Sequence, residues 1–375
     1  MEYIYKGTRL LRCGYTTGTC AAAAAKAAAL MLLSKQDIHS VDITVPKGIT
    51  LTLDIHDIKR ESGSVSCCVI KDSGDDPDVT DGIAIYAEVR LTESGIIITG
   101  GKGIGKITLT GLDQPVGEYA INSVPRKMIK DAVSEAGNKY SYSGGFHITI
   151  SAPEGEETAK KTFNPRMGIV GGISIIGTTG IVEPMSERAV IDTIRTEANI
   201  RRQAGERDLL LTVGNYSEQF IGEHYPDIAG KCVMCSNFIG DAFDIGISLG
   251  FERILLIGHI GKLIKLGSGI YNTHSSYADG RMETLICCAA LCGAEKTILS
   301  QINECVTVDA ALDILFNAGM GDAVLDILAE RVQQYINARV KDNAETGALI
   351  FSFKHDICLK TGAAADILND YRSEL

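Results

Sequence analysis

The chain has no clusters of lysine and arginine. Its 36 basic residues are scattered among 47 acidic ones and leave a net charge of −11. Neutralising a nucleic-acid backbone needs grouped cations, so a nucleic-acid partner is excluded. The N-terminus, MEYIYKGTRL, lacks the apolar core of a signal peptide. No apolar run reaches the ~18 residues of a membrane span. Lys26 interrupts the alanine-rich segment, and Ile169 to Val182 is laced with glycine and threonine. These absences predict a cytoplasmic protein without a membrane partner. The eleven cysteines agree, because an odd number in a long chain without a signal reads as free thiols in a reducing compartment.

Familiar site motifs are missing as well. Gly100-Gly101-Lys102-Gly103-Ile104-Gly105-Lys106-Ile107 nearly spells a phosphate-binding P-loop. Ile107 stands where the magnesium-binding hydroxyl belongs, and the residues beyond it alternate like a strand, so a nucleotide triphosphatase is rejected. No GxGxxG opens the second half, which disfavours a dinucleotide dehydrogenase. Cys232-Val233-Met234-Cys235 is a lone CxxC and reads better as buried structural thiols than as a metal site. Asp72, Asp75, Asp76 and Asp78 are close enough to suggest a cation loop, yet they miss the DxDxDG spacing. A solvated turn is the simpler reading.

What the chain does have is length and apolar content. With 375 residues, 45% of them hydrophobic, it has room for two globular domains. Its organising stretch is Leu11 to Leu33, where Gly14-Tyr15-Thr16-Thr17-Gly18-Thr19 opens onto five consecutive alanines, Ala21 to Ala25. Alanine favours helix and keeps its surface flat, which predicts a buried helix whose first turn is capped by hydroxyls. Such an N-terminus is either an ordinary cap or an anion clamp.

From Val41 to Ile150 the pattern is β-rich. Val41–Val45, Thr50–Ile55, Val65–Lys71 and Ile83–Arg90 alternate apolar and polar residues, and Ser94-Gly95 predicts a hairpin joining Ala84–Leu91 to Ile96–Thr99. A helix is expected from Asn122 to Ala136, with Pro125 tolerated in its first turn. Residues 1–160 therefore read as a two-layer α+β domain. The polar segment 152–165 is the best linker.

Beyond it, in 161–375, the short apolar runs Ile169–Ile176, Leu209–Val213, Lys231–Cys235 and Ile254–Ile257 alternate with helical patterns, and helices at Arg281–Cys292, Val308–Asn317 and Asp322–Ala338 and a late strand Ala348–Lys354 follow. This implies a Rossmann-like α/β domain with a mainly parallel sheet. Four successive runs end in glycine and small polar residues: Gly177-Thr178-Thr179-Gly180, Gly214-Asn215-Tyr216, Ser236-Asn237 and Gly258-His259-Ile260-Gly261-Lys262. Ligands of open α/β sheets bind outside the carboxyl ends of strands, so these ends mark one crevice. Gly258 to Glu283 is dense in chemistry, and Lys262 and Lys265, three apart on an expected helix, share a face that suits carboxylates or simply water.

The blocks LRCGYTTGTCAAAAAKAA, SGDDPDVTDG, AINSVPRKMI, NPRMGIVGGISIIGTTGIVEPMS, CSNFIGDAFD and HIGKLIKLGSGIYNTHSSYADGRME together resemble the cobalt-precorrin-5B C1-methyltransferases of anaerobic cobalamin (vitamin B12) biosynthesis. The resemblance implies S-adenosyl-L-methionine as methyl donor and a corrin-pathway tetrapyrrole as the small-molecule substrate, converted from cobalt-precorrin-5B to cobalt-precorrin-6A. Cobalt would enter only as part of that substrate, and no protein metal site is expected.

On that basis Thr178, Thr179, Gly180, Glu183, Gly214 and Asn215 are assigned to the methyl donor. Arg12, Thr16, Thr17, Lys262, Lys265, His274 and Arg281 are assigned to the substrate's carboxylate arms, and His259 or His274 to any proton removal. A non-catalytic tetrapyrrole carrier and a redox enzyme using Cys232 and Cys235 are the rival readings. Whether the chain forms a homo-oligomer stays open.

Overall fold

The computed structural model describes residues 2–373. The chain divides into two compact units, meeting between Glu187 and Arg188.

Unit 1 is built on α1 (Thr17–Ser34), in which every residue from Thr17 to Leu32 is buried. A helix that is apolar all round belongs inside a core, and the alanines let it press on neighbours from every side. A Cβ on Gly18 would lie 2.8 Å from Pro125 Cγ. Lys26, the charge inside this run, carries its ammonium out to the carbonyl of Asp42 at 2.8 Å and to Glu135 at 2.7 Å. α1 is long and apolar enough to cross a membrane by composition, yet 89% of that window is buried inside the protein.

Before α1 come the hairpin β1 (Tyr3–Lys6) and β2 (Arg9–Arg12), then β3 (Gly14–Tyr15); after it come the paired strands β4 (Ser40–Thr44) and β5 (Thr50–Asp54). The sheet covering α1 contains β6 (His56–Glu61), β7 (Ser64–Ile70), β8 (Ala84–Thr92) and β9 (Ile96–Gly100), then β11 (Gly145–Ser151) after the short β10 (Lys106–Ile107). Its order is β6-β7-β8-β11-β9.

This order corrects the expected hairpin. β11 lies between β8 and β9, antiparallel to β8 over Gly145–Ser151 and parallel to β9. A parallel partner needs a long crossover, and α2 (Ser123–Lys139), which begins where expected, lies on it.

The domain boundary is also corrected, from 160/161 to 187/188. After the short α3 (Gly155–Ala159), the run Ile169–Ile176 was expected to open the parallel sheet. Its strand is limited to β12 (Ile169–Val170), antiparallel to β10, and β13 (Ile181–Val182) then pairs with β3. Ile173 and Ile175 are buried in the core of unit 1. The glycines of the P-loop-like stretch permit this return: the Ile173 amide donates to Gly103 O at 3.0 Å, and a Cβ on Gly105 would lie 2.8 Å from the carbonyl oxygen of Gly172. Gly103 itself sits at φ +74 and packs on the end of β11, where a Cβ would lie 1.8 Å from the carbonyl oxygen of Ala152.

Unit 2 is the α/β half. Helix α4 (Glu187–Gln203) leads to β14 (Asp208–Val213), α5 (Asn215–His224), β15 (Val233–Met234), α6 (Ile239–Ser248), β16 (Arg253–His259) and the one-turn α7 (Ile260–Leu263). A helical layer follows: α8 (Arg281–Leu291), α9 (Lys296–Asn303), α10 (Val308–Asn317) and α11 (Gly321–Val340). The chain closes with β17 (Glu345–Ser352), β18 (Ile357–Gly362) and α12 (Ala364–Ser373). The sheet order is β15-β14-β16-β17-β18, parallel except for β18. All six residues of β14 are buried, as a parallel strand covered on both faces requires. The α/β reading of this half therefore stands, with α9, β18 and α12 added.

The packed crossing at Gly103 can be checked by urea unfolding. Gly103→Ala is expected to cost about 2 kcal/mol or more, because it combines a left-handed backbone with a clash. Lys106→Ala, which removes an exposed ammonium 5.0 Å over the Tyr119 ring, should cost about 1 kcal/mol or less. The reverse ranking would mean that the stretch serves its lysine rather than its backbone.

Candidate active site at the switch of the parallel sheet

In unit 2 the chain runs from β14 to β15 on one side and later returns as β16 on the other. The connections leaving β14 and β16 therefore diverge, which opens a crevice at their carboxyl ends. Gly214, at φ +76, ends β14 and caps α5; a Cβ there would lie 3.3 Å from Lys262 Nζ. Lys262 comes from α7 on the far side and donates to Asn237 Oδ1 at 3.2 Å. Asn237, just beyond β15, also accepts from the Thr273 hydroxyl at 3.2 Å, and its carbonyl accepts the Thr273 amide at 3.0 Å. Burial holds the Lys262 ammonium below its usual pKa, and Lys265 pushes in the same direction. Among the described residues, no carboxylate pairs with Lys262.

The other flank is aromatic. His259, the last residue of β16, has its ring 5.7 Å from Tyr216 and 6.4 Å from Phe353. Tyr216 and Phe353 are 6.3 Å apart and remain 64% and 44% exposed, while Phe351 and Phe220 stack at 4.0 Å beneath them. His259 Nδ1 accepts the Gly261 amide at 3.1 Å as the cap of α7. That bond assigns the ring proton to Nε2, and burial holds the pKa below its usual 6.5.

Two family models match the chain, one described as CbiD over residues 4–184 and one as the CbiD C-terminal domain over residues 272–362. A cobalt-precorrin-5B C(1)-methyltransferase from Ruminiclostridium cellulolyticum is 46% identical over 100% of this chain and 98% of its own length. Its counterpart from Alkaliphilus metalliredigens is 42% identical, with 100% and 98% covered. The chain belongs to the cobalt-precorrin-5B C(1)-methyltransferase family. It is thus a methyltransferase rather than a carrier. A crystal structure of a cobalamin biosynthesis protein from Archaeoglobus fulgidus is also similar, at 31% identity over 73% of this chain and 86% of that one, with a TM-score of 0.40. The first family model ends close to the boundary between the units.

Several residues assigned to the methyltransferase site are engaged elsewhere. The mouth of α1 is closed by its own chain. The Thr16 amide donates to Gly180 O, the Gly18 amide donates to Ile176 O, and the Thr17 hydroxyl accepts the Ile176 amide at 2.9 Å. Thr16 and Thr17 are only 8% and 3% exposed, so the carboxylate role given to them is withdrawn. Arg12 forms a fork with Asp72 at 2.5 and 2.8 Å, and Arg281 one with Asp279 at 2.5 and 2.9 Å. The acidic loop is a bracket rather than a solvated turn, since Asp78 also pairs with buried Lys71 at 2.7 Å.

Lys265 is buried and donates to the carbonyls of Thr273 and Ala278. It stands three residues after Lys262, but its ammonium is used by these carbonyls, whereas that of Lys262 reaches Asn237. His274 is exposed and uses Nδ1 on Ser276. Neither histidine therefore presents a lone pair at Nδ1 for proton removal.

The residues assigned to the methyl donor are divided. Gly214 and Asn215 are in unit 2, whereas Thr178, Thr179, Gly180 and Glu183 are in unit 1. There, Thr179 Oγ1 donates to Ile181 O, Glu183 pairs with Lys47 at 2.8 Å, and Gly180 packs on Val45. Thr178 is exposed. Tyr216, Asn237, Thr273 and Phe353 were not assigned a role, although Tyr216, Asn237 and Phe353 follow strand ends within three residues.

Cys235 is fully buried and donates to Thr212 O, and burial pushes both Cys232 and Cys235 thiols up to about 12. A reactive pair needs lowered pKa values, which disfavours the redox reading and fits structural thiols. Among the described residues, no group of three or more His, Cys, Asp or Glu is placed to hold a metal ion.

The His259 assignment can be followed by NMR. Its ring should titrate below 6.5 and be neutral at pH 7. Because the folded value is depressed, the unfolded chain binds more protons, so this group adds stability as pH rises between the folded value and 6.5. A midpoint above 6.5 would contradict the assignment.

Proposed function

We propose that the protein transfers a methyl group from S-adenosyl-L-methionine to C1 of cobalt-precorrin-5B, giving cobalt-precorrin-6A in anaerobic cobalamin biosynthesis. The observation carrying this reading is Lys262, a half-buried ammonium with no carboxylate partner among the described residues, at the switch of a parallel sheet. A cation in that position is matched by a ligand carboxylate, and Gly214 leaves the space beside it.

S-adenosyl-L-methionine supplies an electrophilic methyl group on a positively charged sulfur. The nucleophile is a carbon of the macrocycle, so the protein contributes alignment and exclusion of water. Lys262 anchors the charged end of the donor, Gly214 and Asn215 bound the space beside it, and His259 offers an Nε2 hydrogen. Neither histidine is required as a base. A cytoplasmic location and a small-molecule partner follow from a biosynthetic role.

Anaerobic incubation with the cobalt tetrapyrrole and methyl-labelled S-adenosyl-L-methionine should place the label on C1. Lys262→Ala should lower kcat/KM by about tenfold or more, the cost of about 1.4 kcal/mol of lost charged hydrogen bonding. No transfer by the wild-type protein would defeat the reading, and an unchanged Lys262→Ala would remove that residue from it.

A further inference from the structure

The crevice in unit 2 is polar at one end and aromatic at the other, and the order of the strands arranges this gradient in a line. Asn237 follows β15, Gly214 follows β14, His259 ends β16, and Phe353 follows β17. These are four adjacent strands, so the line covers three interstrand spacings, about 14 Å. Lys262 Nζ stands between the first two positions, beside Gly214 and bonded to Asn237. Tyr216 reaches the last two, with its ring 5.7 Å from His259 and 6.3 Å from Phe353.

The aromatic end has the marks of a stacking surface. Tyr216 and Phe353 are large rings left 64% and 44% exposed. They are held from below by the buried Phe351 and Phe220, with Phe351 5.4 Å from Phe353 and 5.6 Å from His259. The rings of Tyr216, His259 and Phe353 form a triangle with sides of 5.7, 6.3 and 6.4 Å. That is a patch on the scale of one bicyclic heteroaromatic ring rather than of a whole tetrapyrrole. A flat π-system gains from such rings whatever its substituents. The His259 Nε2 hydrogen adds a donor, which suits a ring nitrogen.

We propose that this line is the binding track of the methyl donor, with its amino-acid carboxylate on Lys262 and Asn237 and its purine on Tyr216, His259 and Phe353. The inference rests on the reading that S-adenosyl-L-methionine binds in unit 2. It adds a direction and two specificity residues, Tyr216 and Phe353. An α-amino carboxylate joined through sulfur and ribose to a purine carries a charge at one end and a flat ring at the other, as the track does. The sulfonium then falls near the middle, above Gly214 and His259.

The test is calorimetric titration of the full chain with S-adenosylhomocysteine, which has both ends but no methyl to transfer, and with adenosine, which lacks the carboxylate. Tyr216→Ala and Phe353→Ala should each weaken both ligands about tenfold, whereas Tyr216→Phe should bind like the wild type. Lys262→Ala should weaken S-adenosylhomocysteine and leave adenosine unchanged. Both aromatic side chains are exposed, and Phe353→Leu keeps apolar bulk without a ring. It should bind as weakly as Phe353→Ala while melting at the wild-type temperature.

If the wild-type protein binds neither ligand, the donor reading itself falls. If the wild type binds both and the aromatic variants do so equally well, only the purine assignment is overturned. A Lys262→Ala protein that loses adenosine as severely as S-adenosylhomocysteine would overturn the direction. Aromatic variants that lose the cobalt tetrapyrrole but keep S-adenosylhomocysteine would give the rings to the other substrate.

Discussion

The candidate site depends on the register of β14 and β16. These strands pair from Asp208 with Arg253 to Val213 with Gly258, and at their amino ends Arg253 grips the nearly buried Asp208 with a two-point bond of 2.7 and 2.6 Å. Each strand is closed by apolar layers on both faces, so a slip of one residue would turn its buried side chains the wrong way. Because the register is held, Gly214 and His259 emerge at neighbouring points at the opposite end. The chain then leaves them in different directions, and the resulting gap receives Lys262. Packing at one end of the sheet thus sets the chemistry at the other.

Unit 1 follows a different logic, that of close approach. The alanines of α1, Gly18 against Pro125, and Gly103 against Ala152 all exchange side-chain volume for backbone proximity. The same economy closes the mouth of α1. Its first amides and hydroxyls are satisfied by the returning segment that contains Ile176 and Gly180, so an apparently anion-ready helix start is a joint within the unit. The acidic loop is a joint too, since its aspartates meet Arg12, Lys71 and the Met185 amide.

What the sequence made legible was what local pattern encodes. Alternation revealed β4, β5, β7 and β8, and the buried runs Leu209–Val213 and Ile254–Ile257 revealed the parallel sheet with glycine and polar residues after its strands. Long-range pairing was not encoded in this way. Ile169–Ile176 looks like a buried strand wherever it packs, and its place in unit 1 is decided by glycines some seventy residues earlier. β9 adjoins its apparent hairpin partner in sequence, yet the seven-residue β11 takes the place beside β8. Lys262 and Lys265 look equivalent by spacing, yet the carbonyls of Thr273 and Ala278 take the ammonium of Lys265 while that of Lys262 stands beside Gly214 and reaches Asn237. Tyr216 lay within a strand-end motif and Phe353 in none, and neither was given a role, since exposed aromatics acquire meaning only when two strand ends bring them together.

The central claim is that the methyl donor occupies the switch of the parallel sheet in unit 2 rather than the mouth of α1. Hydrogen–deuterium exchange of the full chain with and without S-adenosylhomocysteine tests this most directly. The account predicts new protection in peptides covering residues 213–217 and 258–263, with no change over 14–19. Protection confined to 14–19 and 176–183, with the ends of β14 and β16 unaffected, would contradict it.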